Sequence, residues 1–207
     1  MARPNRIPLF PLEAVLLPGM QMPLHIFEPR YKLMIGRCLS QRSEFGIILA
    51  ASKAIATLGC TAEILEKTKD YPDGRLDIVT QGRAVFRLNE LIEEEEYYEG
   101  AVEYVEDGPS ATEFRMEAQL RETFERCHQL LFGRPWTEAA SDQWASMSYR
   151  MAGLLPMELE KRQALLEIRS EDDRRRLVLR WMADFLTKLV ELERVRKRAA
   201  GNGHGLN

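Results

Sequence analysis

Three residues near the start of the chain, His25, Glu28 and Arg30, bring together the groups that acid–base and anion-binding sites use. They are an imidazole able to donate or accept a proton, a carboxylate, and a guanidinium fork able to grip an oxyanion. All three lie within or beside an apolar stretch, IPLFPLEAVLLPGMQMPLHIFEPRY from Ile7 to Tyr31, where partly buried charge needs partners. Two readings stay open for them: a ligand-binding trio, or a structural cluster in which Glu28 and Arg30 fix the corner between a strand and the next helix. Asp73, Gly74 and Arg75 likewise offer either a recognition loop or a hairpin turn, for which Asp-Gly is a strong signal. Metal chemistry finds no pattern to stand on. Cys38, Cys60 and Cys127 are far apart and contain no C-x-x-C, and His25, His128 and His204 show no ligand spacing with them. No metal and no cofactor is therefore expected, and an odd set of scattered thiols fits a reducing cytoplasm better than a disulfide framework.

The elements that must position these groups can be read from the same stretch. Pro8, Pro11, Pro18 and Pro23 exclude a membrane helix, since each proline in a helix interior costs about 3 kcal/mol, and no uninterrupted apolar region of a secretory signal follows Arg3 and Arg6. Short apolar runs broken by Pro and Gly predict short strands with tight corners, LLPG from Leu16 to Gly19 being one corner. Tyr31, Met34, Ile35, Cys38 and Leu39 then follow helical spacing, with Pro29 where a first turn tolerates it. Strand patterns resume in FGIILA from Phe45, LGCTAEILEKT from Leu58, RLDIVTQG from Arg75, RAVFRLNEL from Arg83 and EGAVEYVED ending at Asp107. About seven short strands with one helix would leave exposed edges in a flat sheet, so a closed or nearly closed barrel is expected over residues 1–108.

From Pro109 the pattern is helical. Ser110 with Glu113 forms an S-x-x-E capping box, and Met116, Leu120, Phe124, Cys127 and Leu131 make one apolar stripe that GRPW, Gly133 to Trp136, brings to a stop. A second helix carries Trp144, Met147, Met151 and Leu154, a third follows Pro156, and a long fourth, capped by Ser170 with Asp173, has the stripe Leu177, Trp181, Phe185, Leu189 and Leu192. Arg174 to Arg176 are assigned to its polar face. The expected division is a barrel at 1–108, a helical part at 109–199 and a disordered tail at 200–207. Charge divides too: up to Asp107 there are 12 Lys+Arg against 17 Asp+Glu, a net of −5, and the remainder carries +2. An acidic barrel argues against nucleic acid, which is bound through clustered Lys and Arg. The run Glu93 to Glu96 is read as a solvated loop.

The ordered succession PLFPLEAVLLPGMQMPLHIFEPRY, FGIIL, LGCTAEI, PDGRLDIVTQGRAVFRL and LLPMELEKRQALLEI resembles the N-terminal substrate-binding domain of Lon proteases, over Ile7 to about Leu192. The resemblance implies an α+β fold: a PUA-like β pseudo-barrel with one inserted helix, followed by an all-α helical bundle ending in a long helix. Lon proteases also need an ATPase module, yet these 207 residues contain no G-x-x-x-x-G-K-[ST] loop to cradle phosphates. DGPSA, Asp107 to Ala111, matches the core of the Lon peptidase signature around its serine. The region where that family places the partner lysine reads Arg150, Met151, Ala152 and Gly153 here, and the nearest lysine is Lys161. A serine without a base is not an activated nucleophile, whereas Ser110 as a helix cap accounts for the same residues.

The function expected from the sequence is accordingly recognition of unfolded or specific polypeptides without catalysis. A separate Lon protease is a candidate partner; nucleic acid and membrane are not. Phe10, Leu17 and Met22 from the opening strands and Trp136 from the helical part are the candidate polypeptide contacts, at the junction of barrel and bundle, each with ordinary core as its competing reading. The alternative is RNA or a small ligand bound in a PUA-like barrel cleft.

Overall fold

The computed structural model describes residues 3–51, 54–94, 96–109, 114–137 and 146–202. Ser110 and Glu113, the expected capping box, lie outside the described residues, as do Trp144 and residues 203–207 of the expected tail. The described chain contains six strands, β1 (Arg6–Leu12), β2 (Gln21–Ile26), β3 (Phe45–Ala51), β4 (Ala54–Asp70), β5 (Leu76–Ile92) and β6 (Glu99–Tyr104). Its five helices are α1 (Pro29–Gln41), α2 (Phe114–Phe132), α3 (Met147–Leu154), α4 (Leu159–Glu167) and α5 (Glu171–Asn202). They form two compact units, one of residues 1–108 with 143–169, the other of 109–142 with 170–207. The segment expected as one helical part is thus shared between the units: α3 and α4 go with the strands. Two contacts inside the first unit tie this insert down, Gln163 Nε2 donating to Leu58 O at 3.0 Å and Gly108 N to Arg169 O at 3.0 Å.

In the first unit the sheet order is β2-β5-β4-β3-β1-β6, and β6 pairs again with β5. The circuit β5-β4-β3-β1-β6 therefore closes on itself, leaving β2, paired with β5 alone, as the outer strand among the described residues. β1 and β3 run parallel, Leu9 opposite Gly46, and need the crossover that β2 and α1 supply. RLDIVTQG and RAVFRLNEL, expected as two strands, are one: β5 is 17 residues long, its first half paired with β2 and its second with β6. The turn at Leu17 to Met20 closes with Met20 N to Leu17 O at 2.9 Å, and Gly19 has φ 87, the left-handed value that a type II turn requires at its third position. Inside, Phe86 is wholly buried; a Cβ on Gly59 would stand 2.5 Å from the ring's Cζ and 2.5 Å from Ile47 O, so the ring is seated against bare backbone. α1 begins with Pro29 in its first turn and buries Tyr31, Met34, Ile35 and Cys38 against Phe10, Phe45 and Ile47.

The second unit is built from α2 and α5. Leu120, Phe124 and Cys127 of α2 and Val178, Trp181 and Met182 of α5 are buried, and the Cys127 thiol reaches Met182 O at 3.6 Å. Burial pushes that thiol up to about 11. The expected α5 stripe is only partly correct: Leu177 is half-buried and Leu192 is 61% exposed. Successive steps of four residues drift around a helix of 3.6 residues per turn, so a row of them leaves the packed face at its ends. Arg174 is a second correction. It is 0% exposed, its guanidinium bonded to Glu171 Oε2 at 3.2 and 3.0 Å, and Glu171 also accepts from Arg175 Nε at 3.0 Å. Only Arg176 behaves as surface, paired with Asp173 at 2.7 Å. The expected cap is present, Asp173 N donating to Ser170 Oγ at 3.3 Å, and α5 continues through Ala200 to Asn202 instead of ending near Leu192.

Candidate functional site

The turn after α2 builds a groove in the second unit. Gly133 closes the helix in the left-handed region, φ 70, with its N–H on Gln129 O at 2.9 Å. The chain then reverses through Arg134, whose carbonyl meets His128 Nδ1 at 3.2 Å, and returns Pro135 and Trp136 along α2. Trp136 is half-buried and meets the buried Phe124 ring edge-on, centroids 5.3 Å apart at 88°. Between this returning segment, α2 and α5 is a groove of about 660 Å³, lined among the described residues by Leu130, Pro135, Trp136 and Val190 and by Glu122, Glu125, Arg126, Gln129 and Glu193. The apolar residues supply desolvation; the carboxylates sit where solvent still reaches them. Such a site can hold side chains.

Of the four candidate contacts, only Trp136 lines this groove. Leu17 is 0% exposed in the corner before β2, and Phe10 is 6% exposed, its ring 4.1 Å from Tyr31 and 6.3 Å from Phe45. Met22 is partly buried against the same cluster. These three belong to the first unit and Trp136 to the second. The groove residues Glu122, Glu125, Leu130 and Val190 carried no signal in the sequence, because the helical spacing that reveals a core face is silent about which polar face another segment folds back upon.

The trio His25, Glu28 and Arg30 separates into two local arrangements. Arg30 donates to Glu28 Oε2 through Nε at 2.9 Å and Nη2 at 2.7 Å, and its guanidinium lies over the rings of Tyr31 at 4.8 Å and Tyr98 at 5.9 Å. That hydrogen bond raises the arginine further above its ordinary value. Glu28 is the residue before α1, so the pair fastens the strand-to-helix corner. His25 faces elsewhere: its Nδ1 bonds Asp77 Oδ1 across the β2–β5 pairing, and Tyr71 OH donates to Asp77 Oδ2 at 2.9 Å. These two bonds, His25 first, hold the Asp77 carboxyl below the usual carboxylate range. Asp73 closes the hairpin turn, accepting from Arg75 N at 3.2 Å and Arg75 Nε at 2.7 Å, with Gly74 at φ 80. The loop before β6 is anchored by Arg6, which bonds Glu94 at 3.1 Å and Glu99 at 2.6 Å. Cys38 and Cys60 are buried, and burial raises both thiols. Among the described residues no three His, Cys, Asp or Glu side chains converge as a metal site would require, and no helix is long and apolar enough to cross a membrane.

The six strands and five helices make an α+β domain with a helical C-terminal part. Residues 6–184 match the family described as "ATP-dependent protease La (LON) substrate-binding domain", and the chain belongs to that family. It is 30% identical over 126 residues to a Lon protease of Parabacteroides distasonis, covering 56% of this chain and 15% of that protein. With the Lon protease of Escherichia coli K12 it shares 26% over 212 residues, covering 93% and 26% respectively. The chain thus spans about a quarter or less of the length of these relatives. Among solved structures it resembles a Lon N-terminal domain protein from Xanthomonas campestris, with TM-score 0.68 and 26% identity over 86% of this chain and 98% of that one. The N-terminal domain of a Mycobacterium avium complex Lon protease shares the fold, with TM-score 0.63 at 16% identity over 86% of this chain and 98% of that one.

Proposed function

We propose that this domain recognises polypeptide without acting on it chemically, and that the groove around Trp136 is its contact surface. The observation that carries the reading is the groove itself: a half-buried indole, a leucine, a proline and a valine lining one depression, in a family described as substrate-binding. Patches of this kind on folded domains mark interaction sites, and unfolded chains differ from folded ones in offering apolar side chains to them. Chemistry has less support. The three thiols are raised by burial and so are not thiolates at neutral pH. The His25–Asp77 pair is committed to holding a strand pairing together. A separate Lon protease is the candidate destination for what the domain binds.

Fluorescence anisotropy with lysozyme, reduced and carbamidomethylated so that it stays unfolded, tests the reading against native lysozyme as control. Binding at tens of micromolar is expected for the unfolded form alone, and Trp136→Ser is expected to weaken it at least fivefold. No affinity, or affinity untouched by Trp136→Ser, overturns the assignment.

A further inference from the structure

The polar residues of the groove are not evenly charged. Among the described residues Glu122, Glu125 and Glu193 line it against a single cation, Arg126, with Gln129 neutral between them. Glu193 is already engaged by Lys197 at 3.0 Å, which leaves the two α2 carboxylates, one helical turn apart, in excess over Arg126 among the described lining residues. An aromatic face attracts a cation through its quadrupole, and tryptophan does so best; carboxylates placed around it add direct charge attraction. An indole among carboxylates is therefore chemistry for an ammonium or guanidinium group, while Leu130, Pro135 and Val190 supply surface for aliphatic neighbours of that group.

We infer that the groove selects polypeptide segments in which a lysine or arginine stands beside apolar side chains, the cation lying between Trp136 and the Glu122–Glu125 edge. This rests on the proposed polypeptide-binding role and adds to it the class of segment. The sign of the preference is the content of the inference. A purely apolar groove would be indifferent to flanking charge, and a groove ruled by Arg126 would prefer acidic segments. Salt weakens the preference, because the carboxylates are solvent-exposed and screened over about 10 Å at 0.1 M.

The test uses the full chain and three synthetic peptides that share one apolar core, Leu-Phe-Val-Leu, flanked on each side by two Lys, two Ser or two Glu. Unfolded lysozyme serves as the reference ligand, and displacement of its labelled form is the readout. The Lys-flanked peptide is expected to compete about three- to tenfold better than the Ser-flanked one, consistent with two exposed ion pairs, and the Glu-flanked one to be weakest. Glu122→Gln with Glu125→Gln, both on the exposed face of α2, is expected to bring the three peptides to within twofold of one another. Lysozyme binding with all three peptides equal, or with a ranking that survives the double substitution, overturns the cation preference and leaves polypeptide recognition standing. Lysozyme that fails to bind removes both.

Discussion

The protein holds two aromatic neighbourhoods of similar make-up and opposite fate. In the first unit Phe10, Tyr31 and Phe45 pack with centroids 4.1 and 6.3 Å from Phe10, under α1 and inside a sheet whose strands close into a ring. In the second, Phe124 and Trp136 meet at 5.3 Å, and Trp136 lines a groove. What separates them is the backbone around them. A ring of strands with a helix across it encloses Phe10, Tyr31 and Phe45. Two helices offer each other one face apiece, and the segment returning from Gly133 covers only part of what is left. Aromatic content does not mark a site; incomplete enclosure does.

The widest separation between the two neighbourhoods is expected in stability. Phe10→Ala removes a ring from a close-packed core and is expected to cost about 3–5 kcal/mol, read as a shift of the denaturant midpoint at constant slope. A loss under about 1 kcal/mol would mean that this cluster is as open as the groove, and the comparison would collapse. Gly59→Ala attacks the same enclosure from the backbone side. Its Cβ would meet Ile47 O, which cannot move without breaking the sheet, as well as the Phe86 ring. A cost of about 1–3 kcal/mol is expected, typical of overpacking, by the same measurement.

The contrast also explains what was legible in the sequence. Elements came through well where a period or a turn residue enforces them: the α1 face Tyr31–Met34–Ile35–Cys38, the Asp73–Gly74 hairpin, the corner at Gly19 and the GRPW stop. Barrel closure followed from counting strands against edges. The fusion of two strand patterns into β5 did not, because Gly82 reads as a break when it is in fact a close approach to Leu17 O, flanked by Gly19 N to Gly82 O at 2.8 Å. Arg174 was misread because composition cannot show that Glu171, one turn away, accompanies it into the interior. Of the proposed contact surface, Trp136 was visible as a type of residue in a suspicious place. Phe10 and Leu17 looked equally suspicious and are core, since hydrophobicity alone carries no information about what covers it.

Trp136 sharpens the comparison at intermediate size. Trp136→Ser is expected to cost less stability than Phe10→Ala, about 1–2 kcal/mol, because a half-buried ring gives up less apolar area and one edge-on aromatic contact. Calorimetry of the two variants side by side checks the ordering. If the indole substitution proves the more destabilising, the groove residue is a core residue and cannot serve as a contact.

The smallest effect is expected at Asp77, and it asks whether the exposed polar cluster of the barrel is part of recognition at all. His25 Nδ1 and Tyr71 OH both bond this carboxylate, and its proton affinity is held below the usual carboxylate range. A carboxyl depressed by folding contributes stability that is present above its unfolded value, about 3.9, and is lost as the pH falls through the lower folded value. Wild type and Asp77→Asn should therefore differ in denaturant midpoint at pH 6 and converge as the pH drops below about 4. The difference should be slight, since the group is solvent-screened. If the roles assigned to the two regions are right, Asp77→Asn leaves affinity for unfolded lysozyme unchanged at neutral pH, because it loosens a β2–β5 pairing of the first unit and alters none of the groove's lining residues. A variant that folds like the wild type and yet loses that affinity would move the recognition surface from the helical unit to the barrel, and the distinction between a sealed region and an open one would have to be drawn around His25 instead of Trp136.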